Sequence, residues 1–206
     1  MAGCDGWSAE RDMRLVVGIS GSSGSIYGIR LLEVLRGVSD LETHLIISTA
    51  AKRTLLEETD YAIKDVEALA THVYDNRDIG AALASGSFRT GGMVIAPCSI
   101  KTASALANCY ADTLICRAGD VTLKEGRPLV VLVRETPLHA GHLRQLLHLA
   151  ELGAVILPPI PAFYNRPKTV EDIVNHTVGR VLDRFGIPHD LTTEWTGTHL
   201  PRSRDA

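Results

Sequence analysis

Four short stretches of this chain gather residue types that bind anions and move protons. The first is GISGSSGSIYG, in which Gly18, Gly21 and Gly24 are interleaved with serines before an apolar helical pattern begins. A strand, a glycine turn and a helix start form an anion site. The helix N-terminus offers unpaired N–H groups and a partial positive charge, and glycine lets a ligand approach the backbone. The spacing Gly18-x-x-Gly21-x-x-Gly24 is neither the GxGxxG of dinucleotide folds nor a loop closing in Gly-Lys-Ser/Thr. The following strand ends in Ser48, where a dinucleotide site places Asp or Glu for the ribose hydroxyls. A mononucleotide such as FMN therefore fits better than NAD or ATP. The competing reading is a tight turn with serine caps and no ligand.

The second stretch, APCSIKTASAL, again ends a strand and opens a helix, with Ser99 as a cap and Lys101 and Thr102 behind it. Two such loops on neighbouring strands could hold a phosphate and a polar ring edge. The third, LVVLVRETPLHAGH, sets Arg134 and Glu135 directly after buried apolar residues. Arg134 could clamp a phosphate and Glu135 could transfer protons beside it, or the two could form a simple ion pair. His139 and His142 lie three apart on one helix face, without the further ligands a zinc site needs, and the other histidines are scattered. The fourth, ILPPIPAFYNRPKTVEDIV, stiffens a loop with three prolines and follows them with Phe163, Tyr164, Arg166 and Lys168. This suits an apolar-walled pocket for a small apolar phosphate. The plain alternative is a rigid connector whose aromatics pack in the core.

These residues need a scaffold that brings strand ends together. RLVVGIS, THLIIS, GMVIAP, PLVVLV and AVILP read as strands, and segments 24–37, 50–58, 99–109, 139–151 and 169–185 read as helices. The strands are continuous apolar runs, as buried parallel strands are. The expected fold is a single-domain α/β structure, a doubly wound, mainly parallel sheet of the Rossmann-like or flavodoxin-like kind. Segment 59–91 is expected to hold one short helix and a long connection. In such sheets ligands bind beyond the carboxyl ends of the strands. Residues 1–13 read as an N-terminal extension, 14–197 as the domain and 198–206 as a tail.

Composition narrows the class of function. The chain has 206 residues and a formal net charge of −3. That argues against nucleic acid, whose phosphates call for a basic face. No apolar run approaches the ~20 residues of a membrane span, and residues 1–12 lack the pattern of a signal peptide, so a cytoplasmic protein is expected. The four cysteines, Cys4, Cys98, Cys109 and Cys116, form no CxxC pair. They read as reduced, the last three as small core residues.

Five ordered blocks carry a family resemblance: GISGSSGSIYGIRLLEVL, ISTAAKRTLLEETD, ASGSFRTGGMVIAPCSIKT, CRAGDVTLKEGRPLVVLVRETPLH and GAVILPPIPAFYNRP. Over about Arg14 to Gly197 the chain resembles the UbiX-type flavin prenyltransferases. The resemblance implies a dodecamer with active sites at subunit contacts, no metal, and a dimethylallyl group joined from dimethylallyl monophosphate to reduced FMN. The product, prenylated FMN, would serve a separate UbiD-type decarboxylase. By the same resemblance, FMN contacts match Gly21, Ser22, Ser23, Ser48, Ser99, Ile100, Lys101, Thr102 and Arg134. Contacts to the prenyl phosphate match Lys124, Glu135, Tyr164 and Arg180, with Arg117 added, and Trp195 would line the prenyl pocket. Ser23, Glu58 and Glu135 match positions of catalysis and proton movement. Ser22 departs from a family pattern in which alanine is common. Two other functions compete. An FMN-dependent decarboxylase of the cysteine type needs a histidine base near the flavin, and the helices after the first two strands contain none. A non-catalytic FMN carrier would have no use for the Glu135, Lys124 and Arg180 set.

Overall fold

A computed structural model describes residues 13–192 and Gly197. Six strands form one sheet: β1 (Met13–Ile19), β2 (Leu41–Ile47), β3 (His72–Asp75), β4 (Gly92–Cys98), β5 (Leu129–Val133) and β6 (Val155–Ile156). Their order is β3-β2-β1-β4-β5-β6, and every pairing is parallel. Parallel neighbours need long crossovers. Helices supply them: α1 (Ser25–Leu35), α2 (Thr49–Glu58), α3 (Ile63–Glu67), α4 (Ile100–Ala107), α5 (Leu114–Lys124), α6 (Ala140–Glu151) and α7 (Val170–Asp183). The order reverses between β1 and β4. Their carboxyl ends therefore flank the crevice in which this architecture binds ligands.

Alternation along each strand sends side chains to two cores. Leu15, Val17 and Ile19 pack with Leu32 of α1, Leu55 of α2 and Val178 of α7. Val16, Ile46 and Val131 face Leu106 of α4, Ile115 of α5 and Leu149 of α6. Helices on both faces explain why the strands are apolar throughout, and the doubly wound expectation holds.

Segment 59–91 is richer than expected, with α3, the strand β3 and a 3-10 turn at Ala82–Ala84. As an edge strand with mostly exposed residues, β3 shows no apolar run. Helix α5 was not anticipated either. Its buried side includes Cys116, Ala118, Gly119 and Thr122, and that composition weakens a helical signature. Gly119 is there for close packing, since a Cβ would lie 2.6 Å from Leu106 Cδ2. Cys98 and Cys116 are core residues as expected, and burial pushes both thiols up, away from nucleophilic thiolates. Cys109 is instead exposed, at φ 53° in the turn that follows α4.

Candidate flavin site at the sheet's carboxyl edge

The loops after β1 and β4 are fastened together at the switch point. Buried Ser20 donates its hydroxyl to the Pro97 carbonyl at 3.0 Å and accepts the Ser99 N–H at 2.7 Å. Its own N–H also donates to Pro97, at 3.1 Å. One small hydroxyl thus sets the relative position of the glycine-serine loop and the Ser99–Thr102 loop. Ser20 was not among the residues singled out from the sequence. Its only signal was a serine at the end of an apolar strand.

Gly24 turns the chain into α1 at φ 100°, a backbone geometry that favours glycine. Here the expectation of an open anion site at the helix N-terminus is corrected. Glu58, the last residue of α2, already accepts the N–H groups of Gly24 at 2.8 Å and Ser25 at 3.2 Å. Partial desolvation would raise the proton affinity of Glu58. Hydrogen bonds from the Ser23 hydroxyl and from Gly24 and Ser25, with the charge of Arg134, outweigh it and hold the carboxyl below its ordinary value. Glu58, Ser23 and Arg134 are thereby brought to one place, as the catalytic assignment requires of the first two. The negative charge at this helix start is a protein carboxylate.

Two buried hydroxyls in the same loop, Ser22 Oγ and Ser25 Oγ, have no protein partner. Buried polar atoms are ordinarily paired, so this pair fits a bound polar ring or phosphate. Gly21 packs so tightly on α2 that a Cβ would sit 2.4 Å from Ala50 Cβ. Ser48 caps α2 by accepting the Ala51 N–H at 3.1 Å, and Ser99 caps α4 by accepting the Thr102 N–H at 3.3 Å. The capping reading of Ser99 is correct, Ser48 caps as well, and both hydroxyls stay at the same edge as the glycine-serine loop. Lys101 holds Asp112 at 3.4 Å in an exposed pair that a ligand can displace at little cost. Arg134 and Glu135 follow β5, tied in by the Arg134 N–H to the Cys98 carbonyl at 3.1 Å. The simple ion-pair alternative is not what forms. Glu135 Oε1 accepts the neighbouring Thr136 N–H at 3.1 Å, and Arg134 acts on Glu58.

The residues matched to the prenyl phosphate do not join this cluster. Arg117 lies along α5, donating to the Ala84 carbonyl and pairing with Asp120. Lys124 ends the same helix, pairs with Glu125 and lies over Gly86, where a Cβ would be 2.9 Å from its Nζ. Both border the 84–88 segment, but α5 starts against Asn76, beyond the carboxyl end of β3, so Arg117 lies one turn into the helix and Lys124, at its end, reaches the opposite edge of the sheet. Arg180 is in the last turn of α7, on the other face, paired with Asp183 at 2.7 Å. Tyr164 is half exposed on the loop after β6 and meets His176 edge-on at 6.0 Å. It borders a cleft of about 510 Å³ that also presents Arg166, Lys168, Asp172 and Asn175. The loop aromatics do not pack in the core, since Phe163 and Tyr164 are exposed. Trp195 lies outside the described residues.

A parallel doubly wound sheet with a polar, ligand-shaped switch point defines a nucleotide-binding α/β protein, and residues 8–182 match the Flavoprotein family. The chain is 60% identical over 186 residues to flavin prenyltransferase UbiX of Escherichia coli strain K12, covering 89% of this chain and 98% of that protein. Among solved structures, a dodecameric FMN-dependent UbiX-like decarboxylase from Escherichia coli O157:H7 superposes with TM-score 0.88 at 49% identity, over 90% of this chain and all of that one. The AnUbiX (PadA1) protein in complex with FMN and dimethylallyl pyrophosphate superposes with TM-score 0.89 at 44% identity, over 91% and 100% of the two chains. The chain belongs to the UbiX flavin prenyltransferase family.

Proposed function

We propose that this chain moves a dimethylallyl group from dimethylallyl monophosphate onto reduced FMN, producing prenylated FMN for a UbiD-type decarboxylase. The observation that carries this reading is the switch-point cluster, where Glu58, Ser23, Arg134 and two unpartnered serine hydroxyls lie around loops joined by Ser20, with Glu135 next to Arg134 in the chain. Gly21–Ser23, Ser48, Ser99–Thr102 and Arg134 would hold the flavin, with Lys101 and Arg134 as the cations for an anionic mononucleotide. The flavin supplies the nucleophilic ring positions that accept the prenyl group.

The chain's own residues supply binding and proton control. Departure of phosphate from an allylic carbon needs cations where the negative charge collects. Lys124, Arg180 and Arg117 supply them, with Tyr164 as a hydroxyl donor. Because Lys124, at the end of α5, lies at the opposite edge from Glu135, these cations serve the flavin site of a neighbouring subunit. The working unit is then a homo-oligomer, a dodecamer like the solved relative. Glu135 takes the proton released as the new bonds form, and Ser23 and Glu58 position and relay protons at the loop. The family resemblance assigns Trp195 to the lining of the prenyl pocket, from which water must be kept because it would capture an allylic cation. The reading puts the reaction in the cytoplasm; among the described residues no helix is long and apolar enough to cross a membrane.

The cysteine-decarboxylase reading finds no histidine in α1 or α2, the helices beside the glycine-serine loop. Mass spectrometry of the flavin after incubation with each prenyl donor under reducing conditions tests the proposal. Dimethylallyl monophosphate should give a flavin heavier by one five-carbon unit. Reaction with the diphosphate alone would assign a different donor, and an unmodified flavin with both would reject the transferase.

A further inference from the structure

We propose that Glu42, His44 and His72 form a binding site for a divalent transition metal of the zinc class, on the side of the sheet away from the flavin loops. Parallel register places Glu42 opposite Arg14 and His44 opposite His72. Alternation then puts all four, with Tyr74, on the face that also carries Val16 and Ile46. One ligand atom from each of Glu42, His44 and His72 lies within 4.8 Å of the others. Glu42 and His72 stand at or next to the amino ends of β2 and β3, whereas the flavin loops follow the carboxyl ends of their strands.

His44 carries the argument. Its side chain is 2% exposed, yet Nε2 has no hydrogen-bond partner. That nitrogen points at Glu42 Oε2 from 3.8 Å, too far for a hydrogen bond and a separation that an ion between them would bridge. Nδ1 lies 3.0 Å from the Tyr74 hydroxyl. When Nδ1–H donates to that oxygen, Nε2 keeps its lone pair and faces the carboxylate. This is the outer hydrogen bond that metal-bound histidines characteristically make. Burial favours the neutral imidazole, which is the ligating form. The His72 ring stacks on His44 with centroids 4.8 Å apart and is exposed, so it can turn a nitrogen to the same point.

Two imidazoles and one carboxylate are the three protein ligands of an open tetrahedral site, with water as the fourth. Arg14 donates to Glu42 at 2.9 Å and lies over the Phe88 ring at 4.9 Å. Its charge opposes a bound cation. Magnesium and calcium, which depend on accumulated carboxylate charge, are therefore disfavoured against zinc or cobalt, which gain from imidazole. Phe88 meets the His44 ring edge-on at 5.3 Å and walls the site on the side of the 84–88 segment. A metal here would pin the edge strand β3 and that segment to β2.

The test is cobalt titration of the full-length protein after treatment with a chelator, followed by visible absorption, with zinc as competitor and calorimetry for stoichiometry. The wild type should bind one cobalt per chain with tetrahedral d–d bands that zinc abolishes. His72→Ala and Glu42→Gln, both at accessible side chains and checked for folding by circular dichroism, should each weaken binding at least tenfold. Tyr74→Phe should weaken it about ten- to a hundredfold. Flavin prenylation in the presence of chelator should be unchanged in wild type and in both ligand variants. Absence of stoichiometric binding, or binding that survives both His72→Ala and Glu42→Gln, would overturn the site.

Discussion

At the carboxyl edge of the sheet, the loops are short, rich in serine and glycine, and joined by buried hydrogen bonds through Ser20. On α5, which runs from beside Asn76 at that edge to the amino edge, Arg117 and Lys124 are held by the carboxylates of Asp120 and Glu125, three residues and one residue away, beside the Ala84–Phe88 segment. The first region is set by backbone bonds that a single chain completes for itself. The second presents cations on pairs that an anion can displace, since pairs this exposed contribute little to stability. On the proposed function, the difference is that one subunit builds a flavin site and lends its donor-phosphate groups to a neighbour. In a doubly wound sheet, the carboxyl ends of the strands and the carboxyl ends of the crossover helices lie at opposite edges.

The largest effect that could break this division is at Glu135. Glu135→Gln keeps shape and hydrogen bonding but cannot accept a proton. Prenylation should fall by about 10²–10⁴ with FMN binding nearly intact. Rapid-quench analysis of the flavin checks this, and a near-normal rate would remove Glu135 from proton transfer. Next comes Lys124→Ala, which should weaken donor binding and slow the reaction by roughly ten- to a hundredfold, the worth of one charge-assisted contact. Flavin fluorescence titration should show FMN affinity unaltered. Equal losses of FMN and donor affinity would mean that the two edges are not separate in function.

Two smaller effects sharpen the account of the carboxyl edge. Ser20→Ala leaves the Ser99 N–H without its buried partner, at a cost of about 1–3 kcal/mol. Thermal unfolding should show the loss, and FMN affinity should fall with it because both loops shift. Glu58→Gln weakens the charge–dipole contact at α1, with about 0.3–1 kcal/mol expected near neutral pH. The folded-state pKa of Glu58 lies below its ordinary value. Its contribution is therefore fully present above the unfolded carboxylate pKa and is lost as pH falls through the folded value. The stability gap between wild type and Glu58→Gln should narrow on acidification. A gap that widens would contradict the hydrogen-bonded carboxylate.

Much of this arrangement was legible in the residues. Five strands announced themselves as apolar runs because both faces of a parallel sheet are buried, and the loops after β1, β4 and β5 could be named from glycine, serine and charge. The edge strand β3 was not legible. His72, Val73 and Asp75 on it are exposed and only Tyr74 packs against the core, so its pattern lacks the apolar signal. The histidines judged scattered include His44 and His72, which stack only because β2 and β3 pair in that register. Helix α5 was hidden by glycine, threonine and cysteine at buried positions. Glu58 was recognisable from family resemblance alone, since nothing in the spacing of 58 and 24 says that α2 ends over the start of α1. The glycine-serine loop was read as a phosphate cradle when its helix N-terminus belongs to that carboxylate.

The central claim, that catalytic groups at the two edges come from different subunits, is tested most directly by complementation between inactive variants. Glu135→Gln and Lys124→Ala chains are co-expressed with different tags, doubly purified as mixed oligomers, and assayed for prenylated FMN. Mixed oligomers contain some sites with Glu135 from one chain and Lys124 from another, so activity should rise well above that of either variant alone. Mixed oligomers no more active than the parents would contradict the account and place both residues in a site formed by one chain.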